Sequence, residues 1–151
     1  MGAEGFGTRE TTIRRVFEAP RSLVWKEWTE PERLARWWGP RGWSTPPGKI
    51  EMDVRPGGVL RVTSVSDEDG QEIAQEGVYL EVLEPERLVI EEPAESAWHE
   101  GAVTTVTFAD LGDGRTEMVF RARIRTTREG LDTAMVGFAN SLERLAERLS
   151  A

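Results

Sequence analysis

RTEMVFRARIRTTREGLDTAMVGFANSLERLAERLS, residues 115–150, changes period in its middle, and that change decides the fold. In its first eleven residues Thr116, Met118, Phe120, Ala122 and Ile124 alternate with Arg115, Glu117, Arg121, Arg123 and Arg125; Val119 breaks the rule. Strict alternation means a strand with one covered and one wet face, as in an antiparallel sheet. After Thr126 the spacing becomes three and four: Leu131, Met135, Phe138, Leu142, Leu145 and Leu149. That is one apolar stripe on a long terminal helix. Thr126 with Glu129 reads as the capping box that starts it.

Reading back toward the amino terminus, the same logic predicts a run of strands. AVTTVTF begins at 102, RLVIEE at 87, QEIAQEGVYLEVL at 71, VLRVTSVS at 59 and KIEMDV at 49. Tight turns separate them at Gly112-Asp113-Gly114, Glu84-Pro85-Glu86, Asp67-Glu68-Asp69-Gly70 and Pro56-Gly57-Gly58. Gly77 is expected to mark a bulge or bend. GPRGWSTPPG (39–48) and PAESAWHEG (93–101) are expected to be loops. Before them, TTIRRVFEA forms a first strand with Ile13, Arg15 and Phe17 on one face. Two short helices follow, PRSLVWKEW and PERLARWW. Thr29-Glu30-Pro31-Glu32 is read as a capping box, and Gly39-Pro40 as the stop. Seven strands cannot stay flat, because twist accumulates. The expected architecture is α+β: a curved antiparallel sheet around the long helix, with a space between them.

Composition narrows the function. The chain has 151 residues, so residues 9–151 are read as one domain after a leader at 1–8. Charged residues are 30% and hydrophobic ones 38%, a globular balance. The net charge of −8 argues against phosphate backbones and anionic membranes, so no nucleic-acid and no membrane partner is expected. There is no cysteine, which removes disulfides, thiolate metal sites and cysteine nucleophiles. The one histidine, His99, excludes any two-histidine motif. Asp67-Glu68-Asp69 lacks the spacing of a calcium loop. No metal and no cofactor are expected. The first residues lack a signal-peptide core, so the expected address is the cytoplasm.

RRVFEAPRSLVWKEWTEPERLARWWGP, then Arg55-Pro56-Gly57-Gly58, Glu76-Gly77-Val78-Tyr79 and Pro85-Glu86-Arg87-Leu88, resemble the START-like (SRPBCC) superfamily. Gly137-Phe138 with Ser141-Leu142 and Leu145 is similar to the last helix of one family within it. That family is named for the C-terminal domain of the activator of the ninety-kilodalton heat-shock protein's ATPase. The resemblance spans roughly residues 10–150. It implies the helix-grip fold. It also implies either a cavity for lipids, sterols or polyketides, or a chaperone-associated role in a stress-response setting; a few relatives are enzymes.

The candidate site follows from strand register and the resemblance together. Trp28, Trp38, Met52, Val62, Tyr79, Ile90, Val106, Met118, Phe120, Met135 and Phe138 are expected to line a cavity for a small apolar or aromatic molecule. Tyr79 would be its polar handle. Arg15, paired with Glu76 or Glu81 or anchoring a ligand carboxylate, and His99 are further candidate polar anchors. Trp25, Trp28 and one of Trp37 and Trp38 fit a wedge that packs the helix pair on the sheet. Trp43 and Trp98 in loops suit a cavity mouth. The alternatives are a chaperone-associated interaction domain with a filled core, and a cyclase- or hydrolase-type enzyme using Tyr79, His99 or a cavity carboxylate. No catalytic residue is assigned, and a monomer or homodimer is expected.

Overall fold

A computed structural model describes residues 7–39, 41–93 and 101–150. Most of the expected leader, Trp98 and His99 lie outside these residues. The elements run β1 (Gly7–Phe17), α1 (Arg21–Thr29), α2 (Pro31–Leu34), β2 (Trp43–Ser44), β3 (Ile50–Met52), β4 (Val59–Ser66), β5 (Glu72–Leu83), β6 (Arg87–Glu92), β7 (Ala102–Gly112), β8 (Arg115–Thr126) and α3 (Arg128–Ser150). The sheet order is β1-β8-β7-β6-β5-β4-β2, and β3 also pairs with β4. Every pairing is antiparallel. This is the helix-grip architecture: a meander from β4 to β8, closed by β1 returning to the last strand, with α3 packed across it.

The seven expected strands are present, and β2 is an eighth inside the expected loop 39–48. β1 starts at Gly7, because Gly7 and Thr8 pair with Thr126 and Arg125. β8 keeps its two faces. Thr116, Met118, Phe120, Ala122, Ile124 and Thr126 are buried, and the arginine row faces out. There Arg123 meets Glu10 on β1 at 2.9 Å, a cross-strand pair on a wet face. The register shift in β5 lies between Tyr79 and Glu81 rather than at Gly77. Gly77 has another reason to be glycine: a Cβ there would come within 2.9 Å of Ile90 Cγ2 on β6.

Both expected capping boxes are replaced by something else. Thr126 is the last inward residue of β8, so its side chain belongs to the core. Thr127 caps α3 instead, its Oγ1 accepting from Gly130 N at 2.9 Å. Thr29 Oγ1 donates to the Trp25 carbonyl of its own helix at 2.9 Å. Glu30 therefore precedes α2 without a side-chain cap, and Pro31 lacks the N–H that would need one.

The two short helices are held to α3 by a buried carboxylate that the sequence gives no sign of. Glu27 is 1% exposed. It accepts from Arg148 through Nε at 2.8 Å and Nη2 at 3.0 Å, and from Arg33 Nη1 at 3.1 Å. Its backbone carbonyl accepts from Trp37 Nε1 at 3.1 Å. A buried charge persists only when paired in this way. Arg144 adds a second tie, donating to the carbonyls of Arg36, Trp38 and Gly39. Among the described residues, no helix is long and apolar enough to cross a membrane.

Candidate functional site

The inward stripe of α3 changes character along its length. Its carboxyl half presents Leu142, Leu145 and Leu149, and the first two are fully buried. Its amino half presents Ala134 and Gly137 to the opening, with Phe138 beside them and Ser141 just past the middle. Large side chains close one end of the grip, and small ones leave the other end open. The opening is a cavity of about 230 Å³ bounded by α3, β4, β5 and the turn after α2. A smaller lobe of about 40 Å³ continues between β4, β5, β6 and β7. Trp28, Trp38, Gln75, Phe120 and Phe138 border both lobes.

The aromatic part of this wall is a packed cluster. Trp28 meets Trp37 edge-on at 4.9 Å and Trp38 at 6.3 Å between ring centroids. Phe120 lies 4.7 Å from Phe138 and 6.3 Å from Trp28. The edge-to-face contacts among the tryptophans fix ring orientation as well as burying area. Trp38 is held from both sides: its Nε1 donates to Gln75 Oε1 at 3.0 Å, and its carbonyl accepts from Thr45 Oγ1 at 3.1 Å. Thr45 has spent its proton, so Ser64 must be the donor in the 3.0 Å Ser64–Thr45 contact. Ser141 Oγ accepts from Gly39 N at 3.0 Å. The polar groups on the wall are thus mostly committed to positioning the turn that carries Trp37 and Trp38.

A family model described as Activator of Hsp90 ATPase homolog 1-like protein matches residues 18–150. The chain belongs to that family. Solved structures agree on the fold. A protein of Chromobacterium violaceum is 26% identical with a TM-score of 0.81, covering 94% of this chain and 97% of its own. An uncharacterized protein of Rhizobium leguminosarum is 24% identical, also with a TM-score of 0.81, covering 96% of each chain. An AHSA1 protein of Silicibacter pomeroyi is 18% identical at a TM-score of 0.81, covering 94% of this chain and 98% of its own. No curated protein matches by sequence.

In this AHSA1-like chain the structure brings together six of the expected cavity residues: Trp28, Trp38, Val62, Ile90, Phe120 and Phe138. Val106 and Met118 point inward as expected, but they are fully buried in the close-packed core and line neither lobe. Met52 packs against the core from the short edge strand β3 and is likewise off the wall. Met135 is a correction: it is 37% exposed, because Ala134 takes the inward position of that helical turn.

Arg15 keeps the register expected for it, on the face of Ile13 and Phe17, but not the partner. Its Nη1 donates to the Arg14 carbonyl at 3.0 Å. Glu76 is taken by Arg61 at 3.2 Å and Glu81 by Arg87 at 2.8 Å. Arg15 does not reach the cavity wall.

Tyr79 is the larger correction. Its ring is 1% exposed and lines neither lobe, so it is no handle for a ligand there. Its hydroxyl is buried without a hydrogen-bond partner among the described residues. Burial, with the nearby charge of Asp53, pushes the phenol well above its ordinary value. An acid whose pKa is raised by folding keeps its proton while the unfolded chain loses it. Stability is therefore full below the unfolded value of about 10 and falls as pH rises beyond it. Tyr79 is the only tyrosine in the chain, so phenolate absorbance reads this one group directly. Tyr79→Phe is expected to leave stability at pH 7 unchanged or raise it by about 1 kcal/mol, since it deletes an unsatisfied buried hydroxyl. It should also flatten the alkaline slope. Urea unfolding at pH 7 and pH 11 checks both; a clear loss at pH 7 would mean the hydroxyl is bonded.

Trp43, read from its loop position as suited to a cavity mouth, borders the larger lobe; the wall residues that the pattern missed are Trp37, Ser64, Ile73, Gln75, Ala134, Gly137 and Ser141, with Leu60, Gly77 and Thr104 in the smaller lobe. One of them carried a readable signal. Gly137 sits in the middle of a helix, where glycine costs about 1 kcal/mol relative to alanine. A mid-helix glycine that no close contact requires points to space being kept.

Proposed function

We propose that this chain binds a small, largely apolar ligand in the cavity between the sheet and α3. The observation that carries the reading is the mismatch between the volume and its wall. A water needs roughly 10–15 Å³ of such space and two to four polar partners. The cavity has room for many waters, but its wall is chiefly tryptophan, phenylalanine and aliphatic carbon, with most of its polar atoms already bonded to the protein. An apolar molecule recovers the dispersion contacts that water cannot make there. Exposed Ile73 on β5 and half-buried Trp43 on β2 give the entrance an apolar rim.

Titration with 1-aminoanthracene, an uncharged fluorophore, tests this. Saturable binding of one equivalent is expected, with blue-shifted emission and quenching of the tryptophans, because Trp28, Trp37 and Trp38 wall the site. Non-saturable signal with unchanged tryptophan emission would sink the reading. The family match favours a second one, a chaperone-associated interaction domain. In that case no probe binds, and the purified chain accelerates a chaperone ATPase directly.

A further inference from the structure

Thr104 puts a hydroxyl where the sheet has room only for a hydrocarbon's role. It lies on the inward face of β7, between Ile90 of β6 and Ala122 of β8, and is 8% exposed. Valine has the same branched shape and would bury there without a polar atom. The Thr104 hydroxyl bonds to no described residue, and a buried hydroxyl left unpaired destabilises a fold. The other described buried hydroxyls on the cavity wall are in use, Ser64 with Thr45 and Ser141 with Gly39 N.

Thr104 also differs from the two orphans sealed inside the protein, Trp28 Nε1 and the Tyr79 hydroxyl, which keep almost no accessible surface. Its hydroxyl is not sealed in that way, and the open space on its side of the sheet is the smaller lobe, which Thr104 borders. Gln75, at the junction of the two lobes, holds a second unused hydrogen. Indole only donates, so the Gln75 atom facing Trp38 Nε1 is its oxygen, and its –NH2 bonds to no described residue. Charge is missing from this surface. The described lining of both lobes holds no lysine, arginine or histidine, and that of the larger lobe holds no ionisable side chain at all. An anion would lose its hydration there without gaining a counter-charge. Size sets the last limit. The smaller lobe, at about 40 Å³, holds roughly three water-sized groups, so only a tail of about one to three heavy atoms enters it.

We infer that the ligand carries one short uncharged oxygen group, a ketone or an alcohol, whose oxygen accepts from the Thr104 hydroxyl in the smaller lobe while its apolar body fills the larger. This rests on the cavity being the binding site and names the end of the ligand that the site reads. Three naphthalenes separate the ideas: 1-acetylnaphthalene, 1-isopropenylnaphthalene, in which a CH2 replaces the carbonyl oxygen, and 1-naphthoate. The wild-type chain is expected to bind the ketone about fivefold to tenfold tighter than the alkene, the range of one net hydrogen bond, with naphthoate weakest. In Thr104→Val, which keeps the shape and removes the hydroxyl, the preference for the ketone should fall to near unity. Thr104→Ser, which restores a hydroxyl, should keep it.

Equal binding of ketone and alkene by the wild type overturns the inference and leaves the cavity reading standing. So does a ketone preference that survives in Thr104→Val, or naphthoate binding tighter than the ketone. Failure of all three while 1-aminoanthracene binds overturns this inference alone; failure of 1-aminoanthracene as well overturns the cavity reading with it. One readout needs no variant. The carbonyl stretch of 1-acetylnaphthalene bound to the wild-type chain should lie below its position in hexane, and an unshifted band overturns the donor role.

Discussion

Replacing Gly137 by phenylalanine is expected to abolish ligand uptake while leaving the fold intact. Gly137 borders the larger lobe, and a Cβ built there meets nothing within 4 Å. A side chain at this position therefore grows into the cavity rather than into a neighbour. The ring would occupy the space where a ligand's own ring must go. Losing about 110 Å² of apolar burial corresponds to about 2.7 kcal/mol, or about a hundredfold in affinity. Binding of 1-aminoanthracene should weaken by at least that factor, with the unfolding midpoint held or raised. Gly137→Ala is the companion: it fills almost nothing, should keep binding, and should gain about 0.5–1 kcal/mol from the helix interior. Met135→Trp is the contrasting control. That position is exposed, so the added ring stays outside and affinity should not change. If Gly137→Phe bound the probe as tightly as the wild type, the cavity would not be the binding site.

These expectations depend on features the sequence shows unevenly. Strands whose one face is wet announce themselves, so β4, β6 and β8 fall where alternation puts them, and their inward residues Val62, Ile90 and Phe120 reach the cavity. Pattern alone does not distinguish a wall from a packed interior. Val106 and Met118 alternate just as Phe120 does, yet they lie where the sheet is covered tightly. What separates the two regions is the size of the facing residues on α3, and that depends on which stretch of helix crosses which strand. The pairing of β1 with β8, more than a hundred residues away, is of the same kind. On α3 itself the apolar spacing chose Met135 over Ala134 because methionine is the more hydrophobic. Geometry chose the other, since the wall there requires a small residue. Polar pairing was the least legible layer. Nothing local marks Glu27 as buried, and its partners Arg33 and Arg148 meet only after the helices pack.

Gly58→Ala should be among the most damaging single-methyl changes in the chain. A Cβ at Gly58 would lie 1.9 Å from the Asp53 carbonyl oxygen and 3.0 Å from that of Arg55. Both are backbone atoms and cannot swing aside. They are also in use: Asp53 O accepts from Arg55 N at 2.8 Å, and Arg55 O accepts from Gly58 N itself at 2.8 Å. The turn is tied to β5 as well, with Gly57 N donating to Tyr79 O at 2.7 Å and Tyr79 N to Gly58 O at 2.9 Å. Relieving the clash means moving the turn and straining those bonds together. The cost is expected to be about 3 kcal/mol, the upper end of ordinary overpacking. For a chain of this size that is a fall of roughly 6–12 °C in Tm. Gly57→Ala makes the comparison sharp. Gly57 has φ +86° but open space around it, so its penalty is conformational only, about 1–2 kcal/mol. Urea unfolding of both variants should place Gly58→Ala clearly below Gly57→Ala. The reverse order would mean that backbone handedness, rather than the close approach of Asp53, is what demands the glycine pair.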